Sequence, residues 1–171
     1  MRNCYLHSPA PCWREARQDF ERRFQERNLN PALQQERADL RASGLRERDP
    51  AAYAQRAFEL SVAAYFFDPS RAQELTPFRV TGRTQQEVWS SLGDYDLRPK
   101  LAGLRVPAIL LQGDADAIPL DASRTVAQLL QAELAVLPRC GHVPYIEAHQ
   151  EFVRLLDGFL PGKMGGGTDD S

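Results

Sequence analysis

The stretch Val106-Pro-Ala-Ile-Leu-Leu-Gln-Gly-Asp-Ala-Asp116 is an apolar run bounded by a proline and a glycine and closed by two acids. Ala108-Ile-Leu-Leu111 shows no alternation of apolar and polar residues, the pattern of a parallel strand buried on both faces. Gly113 ends the run in a turn, and Asp116 lies in that turn. Asp121 then reads as the cap of a helix carrying Val126, Leu129 and Leu130. Glu133-Leu-Ala-Val-Leu137 reads as a second strand, followed by Pro138-Arg-Cys-Gly-His142. Pro144 opens a last helix, with Phe152, Leu155, Leu156, Phe159 and Leu160 at i, i+3, i+4, i+7 and i+8. Strand, helix, strand, helix at this spacing is a right-handed parallel unit, and the fold class is α/β.

In an open sheet of this kind, ligands sit beyond the carboxyl ends of the strands. Asp116 follows the first strand and His142 the second, 26 residues apart, with one crossover helix between them. If the two strands are neighbours, about 4.8 Å apart, both side chains emerge at one edge. A carboxylate on one imidazole nitrogen fixes the tautomer and stabilises the imidazolium, leaving the other nitrogen to take a proton from a nucleophile. Such a pair orients a base but forms no covalent intermediate by itself.

The residues around this pair have plainer readings. Asp114, two positions earlier, could reach the same turn but reads as a solvated turn residue. Glu147 reads as a helix N-terminal acid favoured by the dipole. Cys140 stands near His142, but residues at a strand end alternate in direction, so it reads as a partly buried structural thiol. His7 and His149 have no partner pattern and are expected on the surface.

Upstream, residues 1–97 read as a helical region distinct from residues 98–161, with 162–171 a Gly-rich tail. Trp13, Phe20 and Phe24 share a face of a charged stretch ending near Asn28. Asn30-Pro31 and Asp49-Pro50 are two helix starts, the first helix running to Ser43-Gly44. The second carries Tyr53, Ala57, Phe58, Ala64 and Tyr65 until Asp68-Pro69 stops it. A short helix is expected over Thr84 to Leu92, with Val88 and Trp89 as its contacts. Tyr65-Phe66-Phe67 and Trp89 could line a pocket; the simpler reading makes them the helical region's own core.

The 171 residues are 43% hydrophobic and 26% charged, enough for one globular domain. A net charge of −2 argues against nucleic acid as a partner. No run approaches the roughly 18 apolar residues of a membrane span, and the N-terminal residues lack the apolar core of a signal peptide. The three cysteines are irregularly spaced and form neither a metal pattern nor a disulfide framework. A reduced, cytoplasmic protein with no cofactor, no metal and no membrane partner is the expectation.

Leu101-x-x-Leu104-x-Val106-Pro107, Gly113-x-x-Asp116-x-Ile118-Pro119, Gly141-His142-x-Pro144-x-x-Glu147 and Phe152 through Leu160 together resemble the C-terminal end of the α/β-hydrolase superfamily. The resemblance is to its cap-bearing serine hydrolases, such as prolyl iminopeptidases, esterases and epoxide hydrolases. It implies a partial α/β-hydrolase fold: a helical cap, then the last two parallel strands and their helices. It implies that Asp116 is the triad acid and His142 the triad base, in the family's order of nucleophile, acid, histidine. Residues 13–95 resemble, less specifically, the cap such enzymes insert before those strands.

None of the eight serines stands in a Gly-x-Ser-x-Gly, so no nucleophile is identified in this chain. The resemblance thus implies the acid–base part of an enzyme that hydrolyses an ester, amide or N-terminal peptide bond through a serine acyl-enzyme. The expectation is a truncated or split chain, inactive alone, whose partners are a small-molecule or peptide substrate in the intact enzyme and a complementing N-terminal half. Two alternatives stand beside it: a non-catalytic binding or regulatory module derived from a hydrolase, and a hydrolase using Cys140 in place of serine. Two parallel strands would leave an apolar run with an unpaired edge, so the isolated chain is expected to be marginal, to aggregate or to pair with a complementing chain.

Overall fold

In the computed structural model, described here for residues 4–75, 87, 88 and 90–160, the sheet has three parallel strands rather than the two expected. β1 (Cys4–His7), β2 (Ala108–Gly113) and β3 (Glu133–Leu137) lie in that order. Cys4 through His7 pair with Ala108 through Leu111, and Ile109 through Gly113 pair with Glu133 through Leu137. The N-terminal residues assigned to the helical region thus begin in the sheet, and β2 has a neighbour on each side. That placement explains its unbroken apolar run: every residue of β2 is buried.

Alternate β2 side chains serve opposite faces, as the two-residue period of a strand requires. Leu110 packs with Val126, Ala127 and Leu130 of α6 (Leu120–Leu130), together with Cys12 and Leu6. Ile109 and Leu111 pack with Phe152 of α8 (His149–Phe159), with Leu155, Leu156 and Phe159 along the same helix. Asp121 lies inside the first turn of α6 rather than at its cap, where Pro119 stands, and pairs with Arg124. The last helix is also in two pieces: α7 (Pro144–Glu147) ends at Ala148, and α8 starts anew.

Between β1 and β2 the chain makes a helical excursion. It comprises α1 (Arg14–Asn28), α2 (Pro31–Ala42), α3 (Leu45–Arg48) and α4 (Pro50–Val62). Asn30 and Asp49 cap α2 and α4 through their side chains, as the Asn-Pro and Asp-Pro pairs predict. Gly44, at φ 66°, supplies the left-handed turn after α2. α4 stops at Val62 and tightens into a 3₁₀ turn (Ala63–Tyr65), with a second 3₁₀ turn (Pro69–Glu74) after Phe66 becomes extended. The excursion closes where Cys12 and Arg14 exchange backbone hydrogen bonds with Leu97 and Tyr95. α5 (Arg98–Ala102) then leads to β2. Of the helix expected over Thr84 to Leu92, residues 87, 88 and 90–92 are helical, whereas 84–86 and 89, Trp89 among them, lie outside the described residues, as does the tail 162–171.

The core of the helical layer joins Leu33, Leu60, Val62, Phe66 and Leu75 to Val143, the residue after His142. The helical layer and the turn carrying the histidine are therefore one packed body.

Candidate active site

Because all three strands run parallel, their carboxyl ends open on one edge, where Ser8, Asp116 and His142 follow β1, β2 and β3. The turns after β2 and β3 are locked together. Asp114 N–H donates to the Leu137 carbonyl and Ala115 N–H to the Cys140 carbonyl, each at 2.9 Å. Asp114 is exposed, and its carboxylate accepts from Cys140 N–H at 3.3 Å, so it serves the turn rather than the histidine. Gly113 allows this approach, since a Cβ there would lie 2.0 Å from the Cys140 carbonyl oxygen.

This contact places Asp116 against His142. His142 Nδ1 lies 3.2 and 3.1 Å from the two carboxylate oxygens of Asp116. The Asp116 side chain is wholly buried, whereas that of His142 keeps 30% of its surface exposed. Ile118 N–H donates to Asp116 Oδ1 at 3.0 Å, closing the turn on the acid. Burial by itself would raise the Asp116 carboxyl. The hydrogen bond and charge of His142, with the Ile118 N–H and the Ser8 hydroxyl, more than offset it, and the carboxyl sits below its ordinary value. No described residue hydrogen-bonds His142 Nε2. The pair expected from the strand order is assembled.

Three features around the pair were not read from the sequence. The first is Ser8, buried at φ 41° directly after β1, its N–H extending the ladder to the Leu111 carbonyl at 2.8 Å. Its hydroxyl is buried without a hydrogen-bond partner among the described residues, close enough to Asp116 to favour the ionised acid. The signal for Ser8 lay in Cys4-Tyr-Leu-His7, a strand too short to stand out.

The second is an aromatic stack from α1. Phe20 and Phe24 rings lie 5.8 Å apart, Phe24 and Tyr65 4.5 Å, and Tyr65 and His142 5.1 Å. The Tyr65-Phe66-Phe67 triplet divides accordingly: Tyr65 covers the histidine, Phe66 enters the core, and Phe67 is exposed beneath Arg139. Burial, then the nearby Asp116 charge, pushes the Tyr65 phenol up.

The third is the use of Glu147. Its carboxylate accepts from Gly141 N–H at 2.6 Å and from Asp68 N–H at 3.0 Å, bridging the histidine turn to the helical layer. Arg71 donates to the Ile146 and Glu147 carbonyls beside it. His142 N–H donates to the Tyr65 carbonyl at 2.6 Å, and a Cβ on Gly141 would lie 2.2 Å from that same oxygen. Glu147 thus sits in the first turn of α7, as read, but it spends its charge on two backbone donors.

Cys140 is fully buried, and burial, reinforced by the carboxylates around it, pushes its thiol up to about 12. His149 is exposed and donates to the Tyr145 carbonyl. His7 is exposed at the end of β1 with its ring against Tyr145 and Phe152. Burial, then the charge of His142, lowers its imidazole. Among the described residues, no group of three or more His, Cys, Asp or Glu side chains could hold a metal ion, and no helix is long and apolar enough to cross a membrane.

An acid and a histidine beyond the carboxyl ends of neighbouring parallel strands, beside a helical layer, is an arrangement found in the class of α/β hydrolases. The chain belongs to the alpha/beta hydrolase family, whose profile matches residues 6–155. It is similar to a pimeloyl-[acyl-carrier protein] methyl ester esterase of Nitrosospira multiformis, 38% identical over 60 residues, covering 34% of this chain and 23% of that protein. It is also similar to one of the same description from Nitrosomonas europaea, 34% identical over 79 residues, covering 45% of this chain and 31% of that protein. The fold is shared with an alpha/beta fold family hydrolase from Bacillus anthracis, at a TM-score of 0.57 and 18% identity, over 91% of this chain and 57% of that one. The aligned part spans less than a third of these curated relatives.

Proposed function

We propose that the Asp116–His142 pair is the acid and base of a serine hydrolase that cleaves carboxylic esters. The observation that carries this reading is the buried carboxylate on Nδ1 of a part-exposed imidazole whose Nε2 faces no described partner. In the proposed reaction, Nε2 takes the proton of a serine hydroxyl as its oxygen attacks the ester carbonyl. His142 then gives that proton to the departing alkoxide, leaving an acyl-enzyme. Water, deprotonated by the same nitrogen, attacks the acyl carbon and releases the acid and the serine. Asp116 holds the tautomer throughout and stabilises the imidazolium. Esters are favoured over amides or N-terminal peptide bonds because both curated relatives are described as methyl ester esterases.

The nucleophile in this reading comes from a Gly-x-Ser-x-Gly segment other than these 171 residues, in a half seated along the outer edge of β1. Residues 13–95 act as the cap over the acyl site. Ser8 is not assigned the role, because it is buried and no hydrogen bond joins its hydroxyl to His142 among the described residues; Cys140 is not, because it is buried and its thiol is held protonated.

The test is p-nitrophenyl ester turnover by the purified chain, alone and with a Gly-x-Ser-x-Gly half supplied from the coding sequence immediately upstream. Activity is expected only in the joined form, and His142→Ala is expected to reduce it by about 10⁴-fold or more. Joined protein that stays inactive while folded and binding a partner would favour the non-catalytic module. Turnover by the 171-residue chain alone that survives His142→Ala would overturn the assignment.

A further inference from the structure

A concavity lies next to the candidate site and shares the chain segment that covers His142. It encloses about 370 Å³ and is walled by Leu33, Ala63, Phe66 and Phe67 of the helical layer, with Ala115 of the β2 turn at one end. Ala64, Phe66 and Phe67 on its wall flank Tyr65, whose ring and carbonyl hold His142, so the cavity and the site share one chain segment.

Arg27, at the end of α1, is the cation on this wall. Its guanidinium donates to the Ala64 and Ala115 carbonyls, which leaves N–H donors uncommitted. Among the described residues no carboxylate lies within ion-pair distance of it. Three acids are near, and each is engaged elsewhere: Glu36, itself on the cavity wall, pairs with Arg56 at 2.5 Å, Asp116 with His142, and Glu147 with the Gly141 and Asp68 N–H groups. Burial works against the Arg27 charge, pulling its guanidinium below the ordinary value. A part-buried cation that has only more distant carboxylates and no direct ion pair gains from an anion that contacts it.

We infer that this cavity binds a small amphiphilic carboxylate, its apolar chain against Leu33, Phe66 and Phe67 and its carboxylate on Arg27. A bidentate guanidinium–carboxylate contact in a partly desolvated pocket is the strong form of such a pair. A neutral chain of the same length would fill the same walls but leave the guanidinium unanswered. This inference does not depend on the presence of a nucleophile.

The experiment is a titration of the ¹⁵N-labelled 171-residue chain with hexanoate and, separately, with hexan-1-ol, followed by amide shifts. Hexanoate is expected to bind at least about tenfold more tightly, with shifts centred on Arg27, Leu33, Phe66, Phe67 and Ala115. Arg27→Gln should bring hexanoate down to the level of hexanol. Ala32→Phe, at an exposed position on the cavity rim, should weaken both ligands while leaving Arg27 in place. The inference is overturned if the alcohol binds as well as the acid, if shifts centre elsewhere, or if Ala32→Phe changes nothing. Should Arg27→Gln fail to fold, the acid–alcohol ratio and the Ala32→Phe variant still decide. Absence of esterase activity in the joined protein would leave these binding results unaffected, so the two proposals fail separately.

Discussion

Asp116 is a carboxylate with no exposed side-chain surface, tolerable because an imidazole, a backbone N–H and a neighbouring hydroxyl surround it. Its folded-state value lies below the ordinary one, so its ionisation adds stability above an unfolded value of about 3.9 and loses that contribution as pH falls through the folded value. Asp116→Asn removes this dependence. The urea-measured stability gap between wild type and variant, open at pH 7, should narrow as pH falls below about 5 and close once pH is below the folded value. A gap that stays constant would show that His142 does not hold the ionised acid. The contact of Asp116 with His142 and the burial of Cys140 were legible from strand ends and side-chain alternation. The bridging role of Glu147 was not, because an acid in a first helical turn gives no sign of which distant N–H groups its side chain meets.

Among the elements, α2 shows how local chemistry sets a boundary. Asn30 accepts from Ala32 and Leu33 N–H, and Pro31 has no N–H to leave unsatisfied. Asn30→Ala is expected to cost about 1 kcal/mol in chemical denaturation, with the fold retained; a loss under about 0.2 kcal/mol would show the cap to be redundant. Where an element's end is decided by a neighbour, the sequence is less informative. The helix read as continuing to Tyr65 stops at Val62, because the 3₁₀ turn presents the Tyr65 ring and carbonyl to His142. The shared face of Phe20 and Phe24 was visible in the helical spacing. That it continues through Tyr65 onto the histidine depends on how α1 packs against the 3₁₀ turn Ala63–Tyr65.

For the whole molecule, β1 changes the physical problem. A two-stranded parallel sheet would leave β2 half-paired; with β1 present, β2 is central and α6 and α8 cover its two faces. Leu6 packs into the α6-side cluster with Leu110 and Leu130. Leu6→Asp, placing a charge there, is expected to destabilise the chain by about 2–3 kcal/mol, read from the urea midpoint and by loss of the Cys4–His7 amide protection. Unchanged stability would mean that β1 is dispensable and that the sheet stands on β2 and β3. The helical layer is bound into the same body through Val143, Glu147 and the Tyr65 carbonyl, so a change in it is felt at His142.

By itself the sequence determined the β2–α6–β3 unit, the caps of α2 and α4, and the acid and histidine at the strand ends. These rest on periodicity and turn chemistry, which act over a few residues. Only the tertiary structure decided that Cys4–His7 is a strand, that Ser8 lies against the acid, and that Tyr65 and Glu147 hold the histidine turn. The physical reason is that each of these depends on a contact between segments far apart in the chain. A four-residue strand has no stability until β2 supplies its hydrogen bonds, and a carboxylate has no role until folding brings it an N–H.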